Sequence, residues 1–257
     1  MKFYITALFC ILISIAFGQQ YRDWLIKPPS DKSVIQKSSD GKNITISNGL
    51  VQRSFRLQPN LVCIDYKNLV TGQQLLRAVA PEAVITIDGR EYNIGGLNGQ
   101  KEKAYLLPEW LETFTKGDND FEYVSYSVAP LQPFVKWKPE GWWATNKKQP
   151  EGKVISFGFS HKDLKHLQVN VHYAIYDGIP LIAKWLTIEN KGAVPTKINR
   201  VKSEVIALVE EESAVVGKPD LMKKPQGIYF ETNYAFNNAM RYDISDQTTH
   251  YKIDSSY

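Results

Sequence analysis

The sequence predicts an all-β fold, an antiparallel sandwich of two large sheets, on three observations. Runs that alternate apolar and polar residues recur along the chain with little helical periodicity, the repeat of strands with one face buried. Asn-Gly and Asp-Gly pairs separate several of these runs and favour tight hairpins, because both central positions adopt positive φ. Three runs, at residues 167–176, 181–189 and 196–209, are long enough to be main strands of packed sheets. No repeat of roughly 20–50 residues is visible, which disfavours a propeller or a solenoid.

The elements follow in order. Residues 43–47 alternate, Asn48-Gly49 turns the chain, and residues 50–57 return. Residues 83–87 and 90–94 form a second hairpin about Asp88-Gly89, followed by a glycine-rich turn at residues 95–99. Residues 108–114 begin with Pro108 and offer one or two helical turns. The third hairpin is the longest, residues 167–176 and 181–189 about Asp177-Gly178-Ile179-Pro180. Val169, Val171, Tyr173 and Ile175 share one face of its first strand, and Ile182, Lys184, Leu186 and Ile188 share one face of its second. Bulk on both faces predicts a central strand pair covered on each side. Asn190-Lys191-Gly192 turns again into residues 196–209, and Glu210-Glu211-Glu212 reads as a solvated strand end.

A chain of 257 residues with 43% hydrophobic and 23% charged residues can bury a sizeable core, which excludes wholesale disorder. The net charge of +4 is spread along the sequence, too weak and diffuse for a nucleic-acid partner. Lys2, an apolar run to Ile15 and the small residues Ala16 and Gly18 predict a secretory signal over residues 1–18, cut after Gly18. A secreted or periplasmic protein follows, with no membrane span after cleavage. Residues 19–42 form a polar lead, and residues 43–257 form the sandwich domain. That domain is either whole or a piece truncated at its C-terminal end. Of the two cysteines, Cys10 lies in the signal, and Cys63 sits in an apolar run expected to bury an inert thiol.

Residues 101–150 stand out as a tryptophan- and proline-rich crossover or long loop, with Trp110, Trp137, Trp142 and Trp143 among five prolines. Indole rings suit sugar faces and domain interfaces, so these four are candidates for carbohydrate contact or, as the favoured reading, for packing over an open end of the sandwich or docking another domain. His161, His166, His172 and His250 lack metal-ligand spacing, so neither metal nor cofactor is expected. No Gly-x-Ser-x-Gly elbow and no phosphate-binding loop is found. Glycoside cleavage needs two facing carboxyl groups. Glu82, Asp177, Glu189 and Glu204 are scattered, with Asp177 explained by its turn and Glu189 by a strand end, and none is assigned a catalytic role.

Four phrases carry a resemblance: Asn48-Gly49-Leu50-Val51; Pro81-Glu82-Ala83 with Ile87-Asp88-Gly89; Ile94-Gly95-Gly96-Leu97; and the stretch from His172 through Tyr176-Asp177-Gly178-Ile179-Pro180 to Trp185, ending in Glu189-Asn190. Over residues 43–209 the chain resembles the amino-terminal β-supersandwich, galactose mutarotase-like in fold, of secreted α-galactosidase-like glycoside hydrolases of or near family 36. The hairpin is the specific part. The resemblance implies that the catalytic aspartates lie in a following (β/α)8 barrel, expected outside this chain, so no catalytic residue carries over. It further implies a module that packs on that barrel and contacts carbohydrate. Two other classes remain open. One is a free-standing mutarotase-like sugar enzyme with a His acid, for which His172 is available, and a Glu base. The absence of an Asn-His-x-Tyr-Phe-like stretch counts against it. The other is an exported structural or adhesive sandwich without a ligand.

Overall fold

A computed structural model describes residues 23–27, 29–101, 104–132, 150–208, 228–230 and 249–251. Residues 1–18, expected to be a secretory signal, lie outside them. The strands are β1 (Val34–Lys37), β2 (Asn43–Ser47), β3 (Val51–Arg56), β4 (Val62–Asn68), β5 (Gln73–Gln74), β6 (Leu76–Ala78), β7 (Ala83–Ile87) and β8 (Arg90–Ile94). They continue with β9 (Glu122–Pro130), β10 (Gly152–Ser160), β11 (Leu167–Tyr176), β12 (Ile182–Asn190), β13 (Ile198–Lys202), β14 (Ala207–Leu208), β15 (Ile228–Phe230) and β16 (Thr249–Tyr251). A single 3-10 turn at Pro108–Trp110 is the one helical element among the described residues, and no helix there is long and apolar enough to cross a membrane.

The fold is an all-β sandwich of antiparallel sheets. A five-stranded sheet in the order β1-β2-β3-β4-β5 and a three-stranded sheet β13-β7-β8 face a four-stranded sheet β12-β11-β10-β9. Alternation drives this closure. Ile44 and Ile46 of β2, Phe55 of β3, Ile85 of β7, Phe157 of β10 and Val171 and Tyr173 of β11 are essentially inaccessible and form one core. Phe55 packs against Phe157 and Tyr173 at ring-centroid distances of 5.1 and 4.9 Å, a spacing typical of buried aromatic pairs. A second cluster of Val62, Leu97, Leu111 and Phe114 closes one end.

Turn chemistry separates two hairpins that look alike in sequence. Asp88 and Gly89 both adopt positive φ, 48° and 82°, as a two-residue turn demands. At the β2–β3 turn only Gly49 does, because Asn48 uses its side chain instead. Its Oδ1 accepts the N–H groups of Leu50 and Val51, both at 3.0 Å. Its amide donates to the carbonyls of Tyr176 and Ile179 at 2.6 and 2.7 Å, tying this turn to the long hairpin. Gly95 has a different reason to be glycine: a Cβ there would lie 2.4 Å from the Leu61 carbonyl oxygen.

Four expectations need adjustment. β1 falls within the segment read as a polar lead. β9 occupies part of the stretch read as crossover or loop; its residues are exposed on both faces from Val124 onward, although Val124, Tyr126 and Val128 alternate with Ser125 and Ser127 in the sequence. The remainder, residues 133–149, lies outside the described residues. The Leu131 N–H donates to the Gly152 carbonyl at 3.0 Å, so that segment joins two neighbouring antiparallel strands rather than crossing between sheets. The run at residues 196–209 breaks into β13 and β14, and Glu204 sits in the break. Finally, β12 is an edge strand of its sheet, so the long hairpin is central on one side only.

Candidate functional site

The described residues bring four ionisable side chains together inside the sandwich. Arg53 shares the inward parity of Val51 and Phe55 on β3 and is almost fully buried. Lys184 is the β12 register partner of Tyr173 on β11, so both point into the core. Glu82 immediately precedes β7, and Glu204 lies just beyond β13. The Arg53 guanidinium grips Glu204 with both terminal nitrogens, Nη1 to Oε2 at 2.9 Å and Nη2 to Oε1 at 3.3 Å. Lys184 Nζ donates to Glu204 Oε1 at 2.9 Å and lies 3.7 Å from Glu82 Oε2. Arg53 Nη2 is 3.9 Å from the same Glu82 oxygen. Glu82 also accepts the Tyr173 hydroxyl at Oε2 and the Cys63 N–H at Oε1, the latter at 2.8 Å, while Lys184 donates to its backbone carbonyl. Two basic and two acidic side chains thus meet. Side-chain exposure is 4% for Arg53, 1% for Glu82, 8% for Lys184 and 25% for Glu204, which opens the cluster to water at Glu204 alone.

The electrostatics follow from that arrangement. Burial alone would push the Glu204 carboxyl up, but Arg53 and then Lys184 outweigh it and hold it at about 2. Burial pushes the Cys63 thiol up to about 11, so it stays protonated beside Arg53 Nε, 3.2 Å from its sulfur. Burial likewise drives the Tyr173 hydroxyl well above the ordinary phenol range. A glycosidase needs one carboxyl group that holds a proton until the leaving oxygen takes it. Glu204 is locked ionised and so supplies no general acid, and Glu82 is engaged at both oxygens by the Tyr173 hydroxyl and the Cys63 N–H. The chemistry of the pair is that of a structural ion cluster joining β3, β7, β11, β12 and the break after β13.

Of the four carboxylates singled out in the sequence, Glu82 and Glu204 therefore converge. Asp177 stands apart at the hairpin turn. It accepts the Ser33 N–H at 2.7 Å and the Ser33 hydroxyl, with Lys32 at 3.2 Å. Glu189 is exposed, 3.6 Å from Lys191. Trp110 is part-buried against the second cluster with Lys101 Nζ 5.5 Å from its ring, an arrangement of packing. Trp137, Trp142 and Trp143 lie outside the described residues. Cys63 is buried and free, as its apolar run suggests.

His172 projects from the opposite face of the same sheet. Its ring stacks on Trp185 at 5.0 Å and 15°. Nδ1 lies 2.7 Å from Ser156 Oγ and Nε2 2.9 Å from Thr187 Oγ1. Burial lowers its pKa, so the imidazole is neutral at pH 7 with both nitrogens engaged, a poor acid for mutarotation. His161 is buried, and its Nδ1 accepts the N–H groups of Asp163 and Leu164. No group of three or more metal-ligating side chains occurs among the described residues.

Sequence reasoning missed Arg53, Tyr173 and Lys184 as members of one cluster. A signal was present: Arg53 and Lys184 are charges at apolar-parity positions of their strands, and such charges require partners when turned inward. No family model, curated protein or solved structure matches this chain.

Proposed function

We propose that the chain is a non-catalytic, carbohydrate-associated β-sandwich module, the N-terminal part of a secreted α-galactosidase-like glycoside hydrolase, and that it packs against a catalytic (β/α)8 barrel domain. One observation carries this reading: the phrases that resemble that family are the joints of this sandwich. Asn48 of the first phrase donates to the carbonyls of Tyr176 and Ile179 in the fourth. Glu82 of the second accepts the Tyr173 hydroxyl and lies in the ion cluster with Lys184, both of the fourth. Gly96 of the third donates to the Leu61 carbonyl at 2.8 Å, holding the end of β8 beside the start of β4. Motifs that meet in space this way support the reading that the four phrases belong together in one fold. The non-catalytic part is supported by the cluster, in which Glu204 is held ionised and both Glu82 oxygens are taken up by hydrogen bonds within the fold.

The purified chain is expected to show no turnover of an aryl α-galactoside, and to bind a separately produced α-galactosidase barrel domain in a pull-down and by calorimetry. Turnover that a single carboxylate substitution abolishes, or no detectable association with the barrel, overturns the proposal.

A further inference from the structure

The outer face of the four-stranded sheet, opposite the core, holds a shallow hollow of about 260 Å³. At ~30 Å³ per water molecule, that is room for roughly nine waters, the scale of one sugar ring. Its floor is Gly158 of β10, and its rim carries Val124, Ser125, Ser160, Lys165, Gln168 and Lys191. Two local features create it. A bulge between Gly158 and Phe159 leaves Val124 as the extra residue on β9, and Val124 stands 62% exposed at the rim. Gly158 keeps the floor empty: a Cβ there would lie 3.3 Å from Asn170 Oδ1 and 3.5 Å from Ser125 Oγ.

The polar groups of the hollow are one-sided. Two hydroxyls and two ammonium groups line it, and no carboxylate does. The Gln168 side-chain oxygen already accepts from Lys191 Nζ, and the Gln168 amide donates to Asn170 at 3.3 Å. An incoming molecule therefore meets hydroxyls and two ammonium groups, with apolar surface from Val124, Phe159 and Leu167. Glu189, 3.6 Å from Lys191, lies outside the lining.

We infer that this hollow binds an acidic saccharide unit, a pyranose bearing a carboxylate. Lys165 and Lys191 take the carboxylate, Ser125 and Ser160 take ring hydroxyls, and Val124 covers the C–H face of the ring. The saccharide class rests on the module reading above, whereas the demand for negative charge rests on the lining alone.

The test is calorimetric titration of the folded chain with a short oligogalacturonate and with a neutral galacto-oligosaccharide of equal length, at low and high salt. The acidic sugar is expected to bind at least about tenfold more tightly, by an amount that shrinks as salt screens the lysines. Lys165→Gln and Lys191→Gln are each expected to weaken it by roughly fivefold to tenfold. Gly158→Ala is expected to do the same without changing charge. The lysine variants replace surface side chains, so unchanged circular dichroism will certify the fold. Equal binding of the two sugars, indifference to all three variants, or full competition by acetate alone overturns the inference. Neutral sugar bound identically by every variant removes this hollow and leaves the module reading intact. Failure of the barrel to associate removes the module reading and leaves the hollow's anion preference to stand.

Discussion

Lys184 and Lys191 come from one stretch of chain at the edge of the four-stranded sheet, and the sheet puts them in opposite surroundings. Lys184 on the inner face is 8% exposed, with Glu204, Glu82 and a backbone carbonyl around it. Lys191 at the outer rim is 55% exposed, with one carboxylate at 3.6 Å and an amide oxygen. Taking an ammonium group out of water is costly unless partners replace every lost contact, so the inner lysine is fully committed to the fold. The outer one retains its hydration and can exchange it for a ligand. The inner face uses charge to hold strands together, and the outer face keeps its lysine in water, held by only a loose carboxylate and one amide oxygen.

The largest expected effect strikes the inner face. Arg53→Met removes the bidentate partner of Glu204 and leaves two buried carboxylates facing one ammonium group. It should cost about 3–5 kcal/mol in urea unfolding, the range for breaking a buried ion pair from one side. A loss of a few tenths would put the cluster at the level of exposed pairs and dissolve the contrast between the faces.

Acid should act on the same joint. Glu204 has its folded pKa depressed to about 2 from an ordinary 4.5. Its stabilisation is therefore complete above the unfolded value and is lost as pH falls from about 4.5 toward 2. Two and a half pH units at 1.36 kcal/mol each give roughly 3 kcal/mol. Asp177, also depressed, adds a contribution of the same sign. Glu204→Gln should flatten the acid limb of a stability–pH curve, and an unchanged limb would assign it to other carboxylates.

Sequence shows half of this contrast. Asp88-Gly89 and the turn at residues 177–180 are local signals, each needing only its own few residues, and both form as hairpin turns. The ion cluster has no such locality. Arg53 and Glu204 are 151 residues apart, and Tyr173 and Glu82 are 91 apart, so only the folded sheets bring them together. What could be read was the anomaly of Lys184 between Ile182 and Leu186 on an inward-facing parity. The hollow was illegible for another reason: Gly158 matters through the side chain it lacks, and the bulge beside it breaks the alternation on which strand reading depends. Of the four tryptophans that dominated the composition, Trp110 is the one described, and it packs.

Smaller effects refine the comparison. Gly89→Ala at φ 82° should cost about 1 kcal/mol, because an L side chain is strained there, with no effect on either charged face. Cys63, buried with its thiol pushed up to about 11, should resist a thiol reagent in the native state and react fully in urea. Rapid native labelling would mean that the cluster opens.

The most direct measurement pairs the two faces in one variant. Tyr173→Phe removes the hydroxyl that donates to Glu82 and should lower stability by about 1.5–3 kcal/mol, the value of a hydrogen bond to a buried charge. Under conditions where that variant remains folded, its affinity for the acidic saccharide should match the parent within about twofold, since the inner cluster plays no part in recognition. A tenfold loss of affinity in the folded variant would make the buried charges part of the binding site and contradict the division between the faces.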